Sequence, residues 1–366
     1  MVARFNRHEA MAKLRQIRAR QSAAKKVVPQ PTFGPPAQLV PFPSGLVSFS
    51  SGKERCGINE YSRGLAEEMR RAAAISITEV RLDDIALASS APAGAEVLVH
   101  AEPSLLRPGF IQALGASHKR GAKIVVCLHY CDSSFFHKFA NVADIVVVHR
   151  AYGIQHPKLR QVPLACPLYQ LTDREALRAK FGFTQPVVTT FGFLTAWKRF
   201  ADVAVRLLPE LKRRGALFQM ICPAHFSGVV DGEYQNLRAA VGRFPETARW
   251  ISEFSPEAEI LDRVSASDLG VMYHAHDTGS CSAASKMFVS TRRPLLVTSS
   301  NHDSDIRSAD RISGCSLSDF TRRALELLDD APRRAQLASD MERDYERMNM
   351  RAVAARYLEL FKEIKK

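Results

Sequence analysis

The stretch PVVTTFGFLTAWKRFADVAVRLLPELKRRGALFQMI, residues 186–221, decides the fold of this chain. It opens with the apolar run PVVTTFGF at 186–193 and closes with LFQMI at 217–221. Between them, residues 199–215 repeat apolar positions every three or four residues and stop at a glycine. A strand, a helix and a strand in this order, with nearly continuous apolar strands, are typical of a parallel sheet covered on both faces.

The same alternation continues on both sides of this stretch. After it, ARWISEF at 248–254, DLGVMYHA at 268–275 and PLLVTSS at 294–300 are predicted strands separated by predicted helices. Before it, a second series begins with GLVSFSS at 45–51 and runs through ADIVVVHR at 143–150. The sequence therefore predicts the α/β fold class, with two facing Rossmann-like domains and a helical C-terminal tail. A ligand should bind in the cleft, at the carboxyl ends of the strands.

The domain boundaries are placed where the composition changes. Residues 1–39 are a basic extension and a Pro-rich linker, and residues 40–165 form the first Rossmann-like domain. Residues 166–330 form the second domain, and residues 331–366 are C-terminal helices. A length of 366 residues is typical of two domains of this size.

The formal net charge of +13 is concentrated near the start of the chain. Residues 1–26 carry eight Lys or Arg and one Glu, so this segment alone contributes +7. Residues 1–27 are either an arm that contacts an anionic membrane surface or a partner, or a solvated extension. Because the basic charge lies in the tail and lacks interleaved aromatic residues, no nucleic-acid partner is expected.

The seven cysteines are scattered and odd in number, which matches neither a zinc motif nor a disulfide framework. Such cysteines favour a reducing compartment. The sequence has no run of 18 apolar residues and no apolar segment directly after the basic start. We therefore expect a cytoplasmic protein, peripheral to the inner membrane if residues 1–27 contact lipid.

Lys198 is the first candidate for chemistry, because it follows the strand at 186–193 and precedes a helix. A lysine at this point is either an ordinary exposed side chain or a mobile positive charge for a diphosphate. In the second role, it would stabilise negative charge on a departing nucleotide diphosphate, with Arg199 as its helper.

The segment YHAHDTGSCSAASKMF, residues 273–288, places small polar residues between a strand and a helix. Hydroxyl groups and free N–H groups at a helix start bind anions, although serines there also serve as simple caps. Its two histidines, His274 and His276, lie too close together and lack a fourth ligand, so no metal is expected. The candidate anion-binding residues are Thr278, Gly279, Ser280 and Ser282.

Two features of the first domain also face the predicted cleft. The glycine loop at 52–57 runs into a helix, and Gly57 lets backbone N–H groups approach a phosphate, or only serves a turn. His129 follows the predicted strand KIVVCLHY at 123–130. It could orient a sugar hydroxyl and handle a proton, or it could be a histidine satisfied at the edge of the core.

Together, these motifs resemble the group 1 (retaining, GT-B fold) glycosyltransferases of bacterial polysaccharide biosynthesis. The resemblance spans residues 46–330, and the order and spacing of the segments carry it. The segments are CGINEYSRGLAEEM at 56–69, LHYCDSS at 128–134, FGFLTAWKRFADVAVRLLPEL at 191–211 and SASDLGVMYHAHDTGSCSAASKMFVSTRRPLLVTSS at 265–300.

The resemblance implies transfer of a sugar from a nucleoside-diphosphate-sugar donor to a saccharide or lipid-linked acceptor. It implies no cofactor beyond that co-substrate and no obligatory metal. Lys198 would contact the donor diphosphate, with Gly57 beside it from the first domain, and His129 would face the sugar. The N–H groups offered to the phosphates would be those of Ser280, Cys281 and Ser282.

The sequence departs from the family pattern at three positions. Family members usually carry an arginine shortly before the lysine, where this chain has Phe193. They also carry two carboxylates in an E-x7-E spacing, where this chain has Gly279 and Met287, although Asp277 could replace the first carboxylate. These departures leave open a second hypothesis: a catalytically degenerate GT-B protein that binds glycans or a partner.

Overall fold

The computed structural model describes residues 42–53, 56–223, 231–314 and 316–365. The predicted contact of residues 1–27 with a membrane or partner lies outside these residues. The described chain forms two all-parallel six-stranded sheets, each flanked by helices. Apolar side chains of the strands fill the space between each sheet and its helices, because both faces of such a sheet are covered.

The first sheet has the strand order β2-β1-β3-β4-β5-β6. Three of its six strands are nearly continuous in buried Val, Ile and Leu, as expected for a sheet covered on both faces. Its strands are β1 (Leu46–Ser50), β2 (Ile77–Arg81), β3 (Glu96–Ala101), β4 (Lys123–Leu128), β5 (Ile145–Val148) and β6 (Leu159–Gln161). Its helices are α1 (Gly57–Ala73), α2 (Ile85–Ser90), α3 (Phe110–Lys119) and α4 (Ser133–Ala140).

The second sheet has the strand order β12-β11-β10-β7-β8-β9. Its strands are β7 (Val187–Phe191), β8 (Leu217–Ile221), β9 (Ala248–Ile251), β10 (Leu269–Met272), β11 (Leu295–Val297) and β12 (Asp310–Arg311). Its helices are α5 (Arg174–Phe181), α6 (Phe200–Arg213), α7 (Asp231–Gly242), α8 (Glu257–Ser265), α9 (Ala283–Ser290) and α10 (Leu317–Asp329).

The predicted fold class is confirmed: two Rossmann-like halves of the GT-B type are followed by C-terminal helices. The stretch at 186–221 forms β7, α6 and β8, and β7 pairs directly with β8. Helices α2 and α4 and the short strands β6 and β12 were not predicted, because their segments are brief.

The last two helices, α11 (Ala331–Met348) and α12 (Met350–Lys365), return the chain to the first half. Helix α12 packs along α1 and buries Val353, Tyr357 and Phe361 in the core of the first half. Where the chain crosses back, Met350 N donates to Cys166 O at 3.0 Å, and Cys166 N donates to Met348 O at 2.8 Å. The outgoing and returning segments are therefore hydrogen-bonded to each other.

Among the helices in the described part of the chain, none combines the length and apolar character that crossing a membrane requires.

Candidate active site

A cavity of about 800 Å³ lies between the two halves, beside the first turns of α1 and α9. Of the ten residues predicted for the site, five line this cavity: Gly57, His129, Thr278, Ser280 and Cys281. The other five lie outside its wall: Lys198, Arg199, Asp277, Gly279 and Ser282. The predicted site is thus divided between the open cavity and the turns directly behind it.

Lys198 is buried, with 7% of its surface exposed, in a short 3-10 helix at 196–198. The turn after β7 makes room for it, because a Cβ atom on Gly192 would lie 2.3 Å from Lys198 Nζ. The same Cβ would lie 3.2 Å from the methyl group of Ala284 in the first turn of α9. The lysine turn and the start of α9 therefore face the same gap.

The ammonium group of Lys198 has no hydrogen bond or ion pair with any residue that the structure describes. Burial lowers the pKa of Lys198 from 10.5 to about 8, although the nearby Cys222 and Asp303 act in the opposite direction. The group still carries its proton at neutral pH. It is a buried cation held beside a helix N-terminus, which is an arrangement that attracts an anion.

The loop before α9 is tied to the first half of the molecule. Cys131 N donates to Gly279 O at 2.8 Å, and the hydroxyl of Tyr152 donates to the same oxygen at 3.1 Å. Ser280 forms an antiparallel bridge with Tyr130. Gly279 is required here, because its φ is +82° and an added Cβ would lie 2.7 Å from the Tyr130 ring.

Arg150 Nη2 donates to both carboxylate oxygens of Asp277, at 2.7 and 2.9 Å, which forms an ion pair across the cleft. Gly279 N and Asn301 Nδ2 also donate to this carboxylate. Partial burial acts to raise the pKa of Asp277, but these hydrogen bonds and the Arg150 charge hold it below its usual value. Asp277 was predicted to bind the donor; in this structure, it links the two halves.

Ser282 and Arg199 also have partners. The Ser282 hydroxyl caps α9 by accepting from Ser285 N, and its own amide donates to His302 O. Arg199 adopts the left-handed conformation with φ +49°, and its exposed side chain pairs with Asp202 at 2.6 Å. Their predicted contacts with the donor stay predictions.

A buried polar network that sequence reasoning missed lies below the loop. His274 Nδ1 contacts Asp303 Oδ2 at 3.0 Å, and both side chains are fully buried. The Trp197 ring, next to Lys198, stacks on His274 and His302 with ring centres 5.1 and 5.0 Å apart. Burial acts to raise the pKa of Asp303, but the contact with His274 holds it well below its usual range.

Lys286 on α9 is a second buried lysine. It lines the cavity and directly precedes Met287, where the family pattern has a carboxylate. It pairs with Asp305 at 2.8 Å, and both side chains are 1% exposed. Burial alone would lower the pKa of Lys286, but the charge of Asp305 holds it above its usual value. The signal for this pair was weak in sequence, because the lysine sits in an apolar helix and its partner follows 19 residues later.

His129 lies at the cavity wall with 8% of its surface exposed. Its ring is held between two other buried histidines, His100 and His149, at 3.3 Å on each side. Burial, together with these two neighbours, lowers the pKa of His129 well below 6.5. The ring is therefore neutral at neutral pH, and its predicted contact with the sugar stays a prediction.

No model of a protein family matches this chain, and no curated protein matches its sequence. Solved structures do match its fold. A glycosyltransferase from Rickettsia africae is similar with a TM-score of 0.68 and 10% identity, over 88% of this chain and 98% of that one. An E. coli structure described as trehalose-6-phosphate bound with UDP-2-fluoro glucose is similar with a TM-score of 0.65 and 10% identity, over 87% and 99%.

A third similar structure is an α,α-trehalose-phosphate synthase (UDP-forming) from Burkholderia xenovorans in complex with glucose-6-phosphate. It has a TM-score of 0.57 and 11% identity, over 84% of this chain and 77% of that one. At these identities, the comparisons establish the two-domain GT-B architecture. The ligands named for these structures belong to those proteins, and the comparison does not assign them to this chain.

Proposed function

We propose that this chain is a glycosyltransferase that moves a sugar from a nucleoside-diphosphate sugar to a saccharide or lipid-linked acceptor. We place this activity in cell-surface polysaccharide synthesis, with a retaining outcome. The observation that carries the proposal is the buried Lys198 ammonium, which lacks an acid partner among the described residues and faces the gap beside the start of α9.

Departure of a nucleoside diphosphate leaves negative charge on its terminal phosphate. A fixed cation in a site that excludes water stabilises that charge more strongly than water does. Lys198 supplies such a cation, and the first N–H groups of α9, which have no helical acceptors, add a partial positive charge. The adjoining cavity of about 800 Å³ has room for the sugar and the acceptor.

The similar solved structures support the same class of donor, because one of them holds UDP-2-fluoro glucose. In this chain, the proposed donor contacts are Lys198, Arg199, Gly57 and the loop 277–282, with His129 at the sugar. The donor remains the only co-substrate in the proposal, and no nucleic acid takes part. A cytoplasmic location, with residues 1–27 on an anionic membrane surface, is part of the same proposal.

The first experiment is a donor-hydrolysis screen over UDP-, GDP- and ADP-sugars, with the product anomer determined by NMR. Lys198→Ala should lower turnover at least about tenfold, because it removes the cation that stabilises the leaving group. Lys212→Ala is the matched control, since Lys212 is an exposed lysine at the end of α6. Equal turnover in both variants would refute the role of Lys198.

A second candidate function is a catalytically degenerate glycan- or partner-binding module. One observation favours it: the loop 277–280, proposed to contact the donor, is bonded to the first half through Arg150, Tyr152 and Cys131. The family carboxylates are also replaced by Gly279 and Met287. Calorimetry with the same panel of nucleotide sugars separates the two, because a degenerate module should bind none of them.

A further inference from the structure

Three histidines and a cysteine meet at the carboxyl ends of three neighbouring strands in the first half. His100 on β3 and Cys127 on β4 are direct partners in the parallel register. His129 follows β4, and His149 follows β5. All four side chains are at least nine-tenths buried, and His129 and His149 also line the cavity.

We propose that His100, Cys127 and His129 bind one divalent ion of the zinc class, with His149 holding His129 in place. The three ligand atoms all lie within 4.8 Å of one another. Imidazole nitrogen and thiolate sulfur are the donors that zinc prefers. The proposal does not depend on the glycosyltransferase activity, because it concerns metal uptake by the protein alone.

Two of the three ligand-to-ligand distances in the cluster match those of a tetrahedral metal site. In a tetrahedral zinc site, bonds of about 2.0–2.1 Å to nitrogen and about 2.3 Å to sulfur place two nitrogens about 3.4 Å apart, and nitrogen and sulfur about 3.6 Å apart. Here, His100 Nδ1 lies 3.3 Å from His129 Nε2, and Cys127 Sγ lies 3.7 Å from the same nitrogen. The three donors leave a fourth position for water or a substrate oxygen.

The groups behind His129 also fit a metal site, whereas Nε2 of His100 has no hydrogen-bond partner among the described residues. His149 Nε2 faces His129 Nδ1 at 3.3 Å, and His149 Nδ1 faces Val162 O at 3.1 Å. If His149 Nδ1–H donates to this carbonyl, His149 Nε2 accepts from His129 Nδ1–H. His129 Nε2 is then left with a lone pair directed at His100 and Cys127. A ligand histidine with its other nitrogen held by such a partner is the usual arrangement around zinc.

The protonation states agree with this arrangement. Burial lowers the pKa of His100 to about 3 and that of His149 to about 4, so both rings are neutral, which is the form that binds metals. Burial raises the pKa of the Cys127 thiol to about 12. Binding of the ion must therefore displace one proton, from Cys127.

The test uses the full chain after removal of metals with a chelator, titrated with Co²⁺ and then with Zn²⁺. We expect one Co²⁺ per chain and a sulfur-to-cobalt charge-transfer band in the near ultraviolet, which Zn²⁺ abolishes by displacement. X-ray absorption of the cobalt-loaded protein should show one sulfur and two imidazole ligands. No uptake, or a ligand shell of oxygen alone, would overturn the proposal without any variant.

Variants locate the ion. Cys127→Ser and His100→Asn should each weaken uptake at least about hundredfold, and His149→Asn should weaken it about 10–100-fold while keeping the sulfur band. Cys166→Ser is the matched control, because Cys166 is an equally buried cysteine outside the cluster. Circular dichroism checks that each variant is folded. Equal uptake by folded Cys127→Ser or His100→Asn and by the control contradicts the proposed ligands.

Discussion

Two buried lysines, Lys198 and Lys286, have opposite electrostatic surroundings. Lys286 pairs with Asp305 at 2.8 Å, whereas Lys198 has no acid within ion-pair distance in the described part of the chain. A buried cation without an acid partner costs folding energy, and proteins tolerate that cost mainly at functional sites. The same substitution at both positions therefore distinguishes a structural lysine from a functional one.

We predict that Lys198→Met raises the free energy of unfolding at neutral pH by about 1–3 kcal/mol, because the pKa of Lys198 is lowered from 10.5 to about 8. Lys286→Met should lower the same quantity by about 3–5 kcal/mol, because it leaves Asp305 buried without its partner. Urea denaturation measures both changes. Destabilisation of similar size in the two variants would contradict the interpretation of Lys198.

The pH dependence of donor binding follows from the same lowered pKa. The ammonium form of Lys198 binds a diphosphate, and this form is lost from the ligand-free protein as the pH rises through about 8. We expect the affinity for a nucleotide sugar to be constant below about pH 7 and to fall above about pH 8. In calorimetry, Lys198→Arg should give a flat profile, because an arginine keeps its charge across this range.

At the scale of elements, the turn between β7 and α6 positions the lysine. Gly192 has φ +132°, and the space that a Cβ would fill contains Lys198 Nζ at 2.3 Å. Any side chain at this position displaces the ammonium group from the start of α9. Gly192 therefore contributes to the site because it leaves the space that the Lys198 ammonium group occupies.

We predict that Gly192→Ala weakens donor binding at least about tenfold. The added methyl group displaces the Lys198 ammonium group so far that it can no longer hydrogen-bond to the donor phosphate. Gly182→Ala is the control, since Gly182 caps α5 with φ +67° and an added Cβ would meet nothing within 4 Å. Both variants should lose about 1 kcal/mol of stability through backbone strain. Calorimetry of donor binding separates them, and an equal affinity in both would contradict the positioning role of Gly192.

The elements show how far the sequence could predict the structure. The apolar runs around residues 187–221 and 269–297 have periods that specify strands and helices locally, so the order of elements was predictable. The carboxyl ends of parallel strands share one edge of the sheet, so the placement of Lys198, His129 and the loop before α9 near the cleft was also predictable.

What the sequence could not predict are contacts that join distant segments. Arg150 and Asp277 are 127 residues apart, and His100 and His129 are 29 apart, with no local pattern that links them. A side chain at the end of a strand can be exposed, buried with a hydrogen-bond or ion-pair partner, or buried without one. Which of these applies depends on the packing of several elements. The burial of Lys198 therefore became visible only in the structure.

At the scale of the whole molecule, the Arg150–Asp277 ion pair holds the two halves together at the cavity. The Arg150 side chain is 4% exposed, and the Asp277 side chain is 36% exposed. The pair is reinforced by the hydrogen bonds of Tyr152 and Cys131 to Gly279. The two halves are therefore in direct contact beside the cavity.

We predict that Arg150→Gln opens this cleft, because it leaves the loop 277–280 with neutral contacts alone. The radius of gyration from small-angle X-ray scattering should increase, and the free energy of unfolding should fall by about 1–3 kcal/mol. Arg322→Gln is the control, since Arg322 forms exposed ion pairs within α10. An unchanged radius in Arg150→Gln would show that other contacts keep the halves together.

Mutations can test the packing of helix α12 against the core of the first half. Tyr357 is fully buried against α1, whereas Glu359 on the same helix is exposed and pairs with Lys362. Tyr357→Ala should lower the free energy of unfolding by about 3–5 kcal/mol, because it leaves a large cavity in the core of the first half. Glu359→Ala should change it by less than about 0.5 kcal/mol. A similar effect of the two variants would place α12 outside that core.

The return of the chain to its first half has a consequence during synthesis. A ribosome makes domains from the N-terminus onward, and most domains fold as they are completed. Here, the first sheet is translated before the second, but the surface that covers α1 is supplied by residues 350–365, which are translated after both sheets. The nascent first half must therefore keep an apolar face exposed while about 200 further residues are added, and it becomes a complete folding unit only when the second half is finished.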